Sequence, residues 1–295
     1  MPSLREIKDR IASVRSTLKI TSAMKLVASS KLRKAQRAIE ALRPYEKTLS
    51  DILALAGAAA AETLPRISHE PDSVFEAEPD GNLVVLAFSS NSSMCGAFNA
   101  NVIKRTLDLL HESGKAVETW AFGRKMLDAL RKSEYPAARD CSHLVAHPSF
   151  EGIAEISRDL RTRYESGDIS GVVLVYNHFV STGRQQVVVE PYLGQDADVF
   201  SGFGSETEDK PLADDYILEP SGPELLQILM PQVLDLKLYA ALLDSAASEH
   251  AARMIAMQAA TDNAESLLKE ITLEYNKGRQ QKITSEILDL VGAEA

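Results

Sequence analysis

The sequence predicts an α + α/β molecule: an antiparallel coiled coil of long N- and C-terminal helices with a small α/β domain inserted between them. Three observations predict it. Residues 3–43 contain no Gly or Pro and repeat apolar residues at alternating three- and four-residue steps. Residues 232–277 do the same at the other end. Between them, short β-rich runs alternate with helical stretches, as in a single layered domain.

The first helix carries its seam on Leu4, Ile7, Ile11, Val14, Leu18, Thr21, Lys25, Ala28, Leu32, Ala35, Ile39 and Leu42. Ten of these twelve are apolar, which makes a narrow heptad seam and not the broad stripe of a globular helix. Ser3 stands three residues before Glu6 and forms a capping-box start. Pro44 is expected to end or kink the helix. The segment before it would be roughly 60 Å long.

The last helix has its seam on Val233, Leu236, Ala240, Leu243, Ala247, His250, Met254, Met257, Thr261, Ala264, Leu268, Ile271 and Tyr275. Its uninterrupted part would span about 70 Å. After Gly278 the register moves to Ile283, Ile287 and Leu290, a phase change expected to twist the seam. Two such seams at opposite ends of one chain pair most simply antiparallel, each burying the other. Every Leu or Ile fully buried there contributes about 1.5–3 kcal/mol.

The middle of the chain changes period. NLVVLAF (82–88), AVETWAF (116–122), GVVLVYNHF (171–179) and QQVVVEPYL (185–193) read as strands. FNANVIKRTLDLL (98–110), GRKMLDALRKS (123–133) and GIAEISRDLRTRY (152–164) read as helices. The alternation predicts a partly parallel, Rossmann-like sheet. Residues 57–80 read as a connector, and 194–220 as an acidic, Gly-rich loop. The expected parts are therefore a coiled-coil helix over 1–60, the inserted domain over 75–220, and a second coiled-coil helix over 221–295.

Composition bounds the function. Of 295 residues, 45% are apolar and 25% charged, an ordinary globular balance. Cys95 and Cys141 are too few for a disulfide framework and lack zinc-site spacing. No apolar run approaches the roughly 18 residues of a membrane span, and MPSLREIKDR lacks a signal-peptide core. The expectation is a chain neither secreted nor membrane-spanning. The net charge of −10 is uneven: residues 1–47 carry +8, 48–220 carry −13 and 221–295 carry −5. A basic arm on an acidic body fits an acidic partner or nucleic acid, or a basic helix matched to the chain's own acidic C-terminal helix.

Catalytic signatures are missing. There is no GxxxxGK[ST], no GxGxxG after a strand, no HExxH and no GxSxG. His143 and His147 are four apart, but Pro148 follows and points to a loop, so neither metal nor cofactor is expected. The segment SSNSSMCGAFNANVIK (89–104) follows a strand and leads into a helix, which suits an anion site. The plainer reading, and the preferred one, is a polar turn whose Ser93 or Asn99 caps the helix. In KLVASSKLRKAQR (25–37), five Lys and Arg make either a solvated face or a phosphate-binding arm. No aromatic is interleaved there to stack a base. The tail YNKGRQQKITSEILDLVG (275–292) is either a frayed end or a docking segment whose Arg and Gln reach a partner's carboxylates.

At these residues the chain resembles a known family, the gamma subunits of the rotary ATP synthase. KDRIASVRSTLKITSAMKLVASSKLRKAQ (8–36), SEHAARMIAMQAATDNAESLL (248–268) and LEYNKGRQQKIT (273–284) carry the resemblance, and residues 89–104 match more loosely. The resemblance implies a non-catalytic rotor shaft that couples proton flow through the membrane sector to conformational change at the catalytic beta subunits. Its implied partners are the alpha and beta subunits, the epsilon subunit and the membrane ring of c subunits, with no nucleic acid and no span of its own. Arg279 and Gln280 resemble the pair that hydrogen-bonds a beta-subunit loop. Met24 and Lys25 lie where the shaft passes beta's acidic lever. Ile283, Ile287, Leu290 and Val291 would sit in an apolar bearing.

The chain also departs from the family pattern. Asn91, Ser92 and Ser93 stand where an Asp-Arg or Asp-Lys pair and a Gly are common, Met94 precedes Cys95, and Gly278 stands where Ala is usual. The cysteine-bearing insertion of the chloroplast form is absent, so no thiol switch is expected. With no transit peptide, the resemblance implies the cytoplasmic face of a bacterial inner membrane. A nucleic-acid-binding coiled-coil arm and a small-ligand enzyme using the 89–104 loop remain the alternatives.

Overall fold

The computed structural model describes residues 3–61, 82–113, 116–194, 219 and 221–293. The element order is α1 (Leu4–Ala61), β1 (Asn82–Phe88), α2 (Phe98–Glu112), β2 (Val117–Phe122), α3 (Arg124–Leu130), β3 (Arg139–Asp140), α4 (Ser142–Ala146), α5 (Phe150–Glu165), β4 (Ile169–Ser181), β5 (Arg184–Leu193) and α6 (Gly222–Ala293). The chain divides into two compact units, Met1–Ser30 with Arg253–Ala295, and Lys31–Ala252. The 194–220 loop and most of the 57–80 connector lie outside the described residues.

The first unit is the coiled coil. Its start is the predicted capping box: the Ser3 amide donates to Glu6 Oε2 at 2.9 Å, and the Glu6 amide donates to Ser3 Oγ at 3.2 Å. Two contacts set the alignment of the helices. The hydroxyls of Thr21 and Thr261 meet at 2.9 Å, and a Cβ on Gly278 would stand 3.2 Å from Leu4 Cδ2. Both pairs of residue numbers sum to 282, so the helices run antiparallel. Ile7, Thr21 and Ala28 are buried on one side, and Met257, Thr261, Ala264 and Ile271 on the other. No residue of either predicted seam is exposed.

The seam ends where its partner ends. Gly278 lies opposite Leu4, the first residue of α1, so α6 continues beyond it as a single helix. Every residue from Arg279 to Leu288 is exposed. The expected twist of the seam is therefore corrected at Ile283 and Ile287, which are exposed and face no described residue of α1, while the side chain of Leu290 lies outside the described residues.

In the second unit the sheet order is β3-β2-β1-β4-β5, parallel except for β5. This is the order of a doubly wound sheet with an antiparallel edge. Successive residues of β1 face opposite layers. Val84, Leu86 and Phe88 join Ile153, Ile156 and Leu160 of α5 and Leu234, Leu238 and Leu242 of α6. Val85 and Ala87 join Val102 and Leu109 of α2 and Met126 and Leu130 of α3. By length and composition α6 could cross a membrane, with a window of mean hydropathy 1.3. Part of α6's apolar surface is buried, in the sheet core and in a cluster holding Val233 and Leu236.

Pro44 does not end α1. The helix runs on because Leu49 and Leu53 are buried with Val233 and Leu236, and this tertiary burial outweighs the lost Pro44 amide. Thr48 Oγ1 donates to the Pro44 carbonyl at 3.0 Å. Pro231 is likewise carried inside α6, with its carbonyl accepting from Arg161 at 2.9 Å. β3 and α4 went unread because two and five residues are too short to display a period.

Candidate interaction surfaces

The loop after β1 is braced by its own side chains. Asn99 Oδ1 accepts from the Ser90 amide and Ser90 Oγ, each at 3.0 Å, and Asn99 Nδ2 reaches Cys95 Sγ at 3.1 Å. Asn91 Oδ1 accepts from the Arg124 amide, while its Nδ2 donates to the Ser142 carbonyl, both at 3.0 Å. Asn91 thus ties this loop to α3 and α4, a task its neutral side chain performs where the resemblance leads one to expect a charged pair. The N-cap of α2 is Ala97, with no side-chain cap bond. The expected capping by Asn99 is corrected, since its side chain is engaged with Ser90 and Cys95 instead.

Gly123 makes this corner possible. Its φ is +110°, and a Cβ there would stand 2.2 Å from the Ser89 carbonyl oxygen. That close approach lets the Met126 amide donate to Ser89 Oγ at 2.8 Å. Among the described residues no three His, Cys, Asp or Glu side chains gather as metal ligands. His143 lies in α4, where a loop was expected, and His147 follows directly.

A cleft of about 510 Å³ lies between α1, the β4–β5 hairpin and α6, lined by Arg43, Tyr176, His178, Glu190, Lys237 and Asp244. Its polar groups satisfy one another. Lys237 Nζ and Tyr176 Oη each lie 2.9 Å from the Glu190 carboxylate, and His178 Nδ1 is 2.5 Å from Asp244. Burial pushes the Asp244 carboxyl above its ordinary range, against the pull of His178 and Arg43. These pairs join three elements of the second unit and leave no group poised as an acid, base or nucleophile.

The exposed chemistry is on the helices of the first unit. Met24 and Lys25 are half-buried, and the 282 register sets Lys25 opposite buried Met257. Arg279 and Gln280 are exposed on the unpaired end of α6. Ile283 and Ile287 follow at 47% and 55% exposure, and Lys282 lies 3.7 Å from Glu286. The side chains of Leu290 and Val291 lie outside the described residues. The two groups come from opposite ends of the chain, and the register fixes their separation: Met24 and Lys25 sit well along the paired region, and Arg279 just past its end. Sequence reasoning missed Ile20, Leu26 and Val27, each more than half exposed beside Met24 and Lys25. Their signal was available as large apolar residues off the seam.

A model of the family described as ATP synthase matches residues 3–295. The chain is 44% identical to the ATP synthase gamma chain of Phocaeicola vulgatus, and 40% identical to that of Flavobacterium johnsoniae over 99% of this chain and 98% of the relative. In the first case 99% of each chain is covered. Among solved structures, the fold is similar to a chain of the Euglena gracilis mitochondrial ATP synthase (OSCP/F1/c-ring, rotational state 3), with a TM-score of 0.62 and 17% identity over 98% of this chain and 93% of that one. A chain of the Tetrahymena thermophila central stalk and c-ring gives 0.58 at 21% identity, over 82% and 99%. These relatives leave the nucleic-acid arm and the small-ligand enzyme without support. A whole-length family match, close full-length relatives and an antiparallel helix pair on a mixed sheet lead to one conclusion: the chain belongs to the ATP synthase gamma chain family, the non-catalytic central-stalk subunit of that complex.

Proposed function

We infer that this chain is the turning shaft of a bacterial ATP synthase and couples proton flow through the membrane sector to successive conformations of the catalytic beta subunits. The observation that carries the reading is the unpaired end of α6, a lone exposed helix presenting Arg279, Gln280, Ile283 and Ile287 beyond a paired stem. Large apolar side chains left on such a surface call for a sheath of other proteins. A two-helix stem resists twisting better than one helix does, and its uneven faces give each surrounding site a different contact. Only a difference in contact between a site's open and closed states shifts its equilibrium.

In this reading Arg279 and Gln280 hydrogen-bond a loop of a beta subunit, with the Arg fork suited to a carboxylate or carbonyl pair. Met24 and Lys25 meet beta's acidic lever. Screening over about 8 Å at physiological salt confines that attraction to near contact. Ile283, Ile287, Leu290 and Val291 form the apolar bearing within the ring of alpha and beta subunits. The inserted domain, 75–220, meets the epsilon subunit and the ring of c subunits, while 1–60 and 221–295 supply the shaft. The complex sits at the cytoplasmic face of the inner membrane.

Replacing both Arg279 and Gln280 by Ala tests the docking assignment. Coupled ATPase turnover or assembly of the complex is expected to fall, whereas unchanged turnover and assembly would remove the pair from the contact. Recovery of this chain at one copy per three alpha and three beta subunits tests the role as a whole.

A further inference from the structure

The coiled coil carries a polar contact inside its seam. Thr21 is 8% exposed and Thr261 7%, and their hydroxyls lie 2.9 Å apart. Each hydroxyl also has a carbonyl of its own helix in reach: Leu18 at 3.1 Å from Thr21, and Met257 at 2.8 Å from Thr261. A hydroxyl has one proton to donate and two lone pairs to accept with. One threonine therefore donates across the seam while the other donates back to its own helix, and the cross-seam bond forms only when the two side chains face each other.

The apolar layers around this pair are not selective in the same way. Hydrophobic burial is non-directional, and Ile, Val, Leu and Ala layers repeat every heptad, so an alignment shifted by seven residues still buries apolar surface. A hydrogen bond depends on distance and angle, and is lost within a small displacement. Sliding the helices sets each hydroxyl against an apolar layer and removes the cross-seam bond. This polar layer thus disfavours shifted alignments that apolar layers by themselves tolerate.

We propose that Thr21 and Thr261 are the positioning residues that hold the shaft in its 282 register, and so keep Met24 and Lys25 at a fixed height relative to Arg279 and Gln280. The coupling consequence rests on the shaft reading above. A shaft under torque is loaded so as to slide its helices past one another. One heptad of slip would move the two contact groups relative to each other by about 10 Å, out of reach of any fixed pair of partner sites.

The test separates register from packing. Spin labels on Lys8→Cys and Ala259→Cys, both exposed sites, are staggered by fifteen residues in the 282 register, about 22 Å along the axis. Cys95 and Cys141 are buried and leave the introduced thiols to react. Dipolar distance measurement on the full chain, and on the assembled complex, is expected to give one narrow distance. T21V/T261V keeps the branched shape and removes both hydroxyls. It is expected to broaden that distribution, with a population displaced by up to about 10 Å. T21S/T261S keeps the hydroxyls, loses two methyls, and is expected to restore the narrow distance. A packing role predicts the reverse order, because Val fills the layer better than Ser.

A valine pair with the wild-type distance overturns the proposal, as does a serine pair broader than the valine pair. If the valine pair does not fold, T21V alone leaves Thr261 its bond to the Met257 carbonyl and is expected to broaden the distribution in the same direction. In reconstituted complexes the valine pair is expected to pump fewer protons per ATP hydrolysed, and the serine pair to recover. A wild-type chain that supports no proton-coupled turnover would refute the shaft reading while leaving the distance result to stand or fall on its own.

Discussion

Pro44→Ala is a direct test of how α1 is held together. A proline inside a helix removes the amide that would bond the carbonyl four residues back and crowds that carbonyl, at a cost of about 3 kcal/mol relative to Ala. Its ring also restricts the unfolded chain, which returns about 0.4–1 kcal/mol of stability. Pro44 is exposed, so its replacement opens no cavity. The substitution is therefore expected to stabilise the helix beyond it by about 2 kcal/mol, roughly a 30-fold slowing of amide exchange through local opening. The amides to watch are those of residues 45–55, the turns that carry Leu49 and Leu53 into the cluster with Val233 and Leu236. Amide exchange resolved by residue is the assay. Exchange unchanged or faster over 45–55 would mean that this turn of helix is not continuous in solution, and the account of why the helix outlasts its proline would be wrong.

Two further outcomes follow from the same contacts. Gly278→Ala is expected to stabilise the paired stem by about 0.5–1 kcal/mol through helix propensity, because the atom it would crowd is the end of a half-buried leucine in the first turn of α1. A fall in thermal stability would show that Leu4 cannot yield. The Glu118 carboxyl is held below its ordinary range, chiefly by the hydrogen bond from Arg163, with Trp120 adding a second. A depressed folded value means that this contribution is present above the unfolded carboxylate range and is lost as pH falls through the folded one. Unfolding free energy followed from pH 7 to pH 3 should therefore drop less steeply in Glu118→Gln, which starts about 1 kcal/mol lower; an identical slope would remove the pair from the acid response.

Much of this fold could be read from the chain because burial leaves a period. The two seams alternate by three and four, and the structure leaves none of their residues exposed. β1 is 0% exposed from Val84 to Phe88, and its unbroken apolar run announces a strand covered on both faces. Other expectations failed where a further contact outweighed a local rule. Pro44 is a helix stop by local chemistry, and Val233 and Leu236, nearly two hundred residues away, override it. Asn99 is a good cap by local chemistry, but Ser90 and Cys95 claim its side chain.

The interaction surface was less legible, for a reason that lies in what a partner surface is. A buried residue must satisfy neighbours within its own chain, so its type is constrained by a pattern the chain itself contains. Arg279, Gln280, Ile283 and Ile287 are exposed: among the described residues the 282 register exhausts α1 near Leu4. Periodicity extended the seam to Ile283 and Ile287 because they keep an apolar spacing, and the geometry leaves both exposed. The same logic explains Ile20, Leu26 and Val27, apolar residues on the outer face of a helix whose inner face is already filled. An apolar pattern that outruns its internal partner is thus the physical ground for proposing an external one, and where α1 runs out against α6 is where the proposed contact begins.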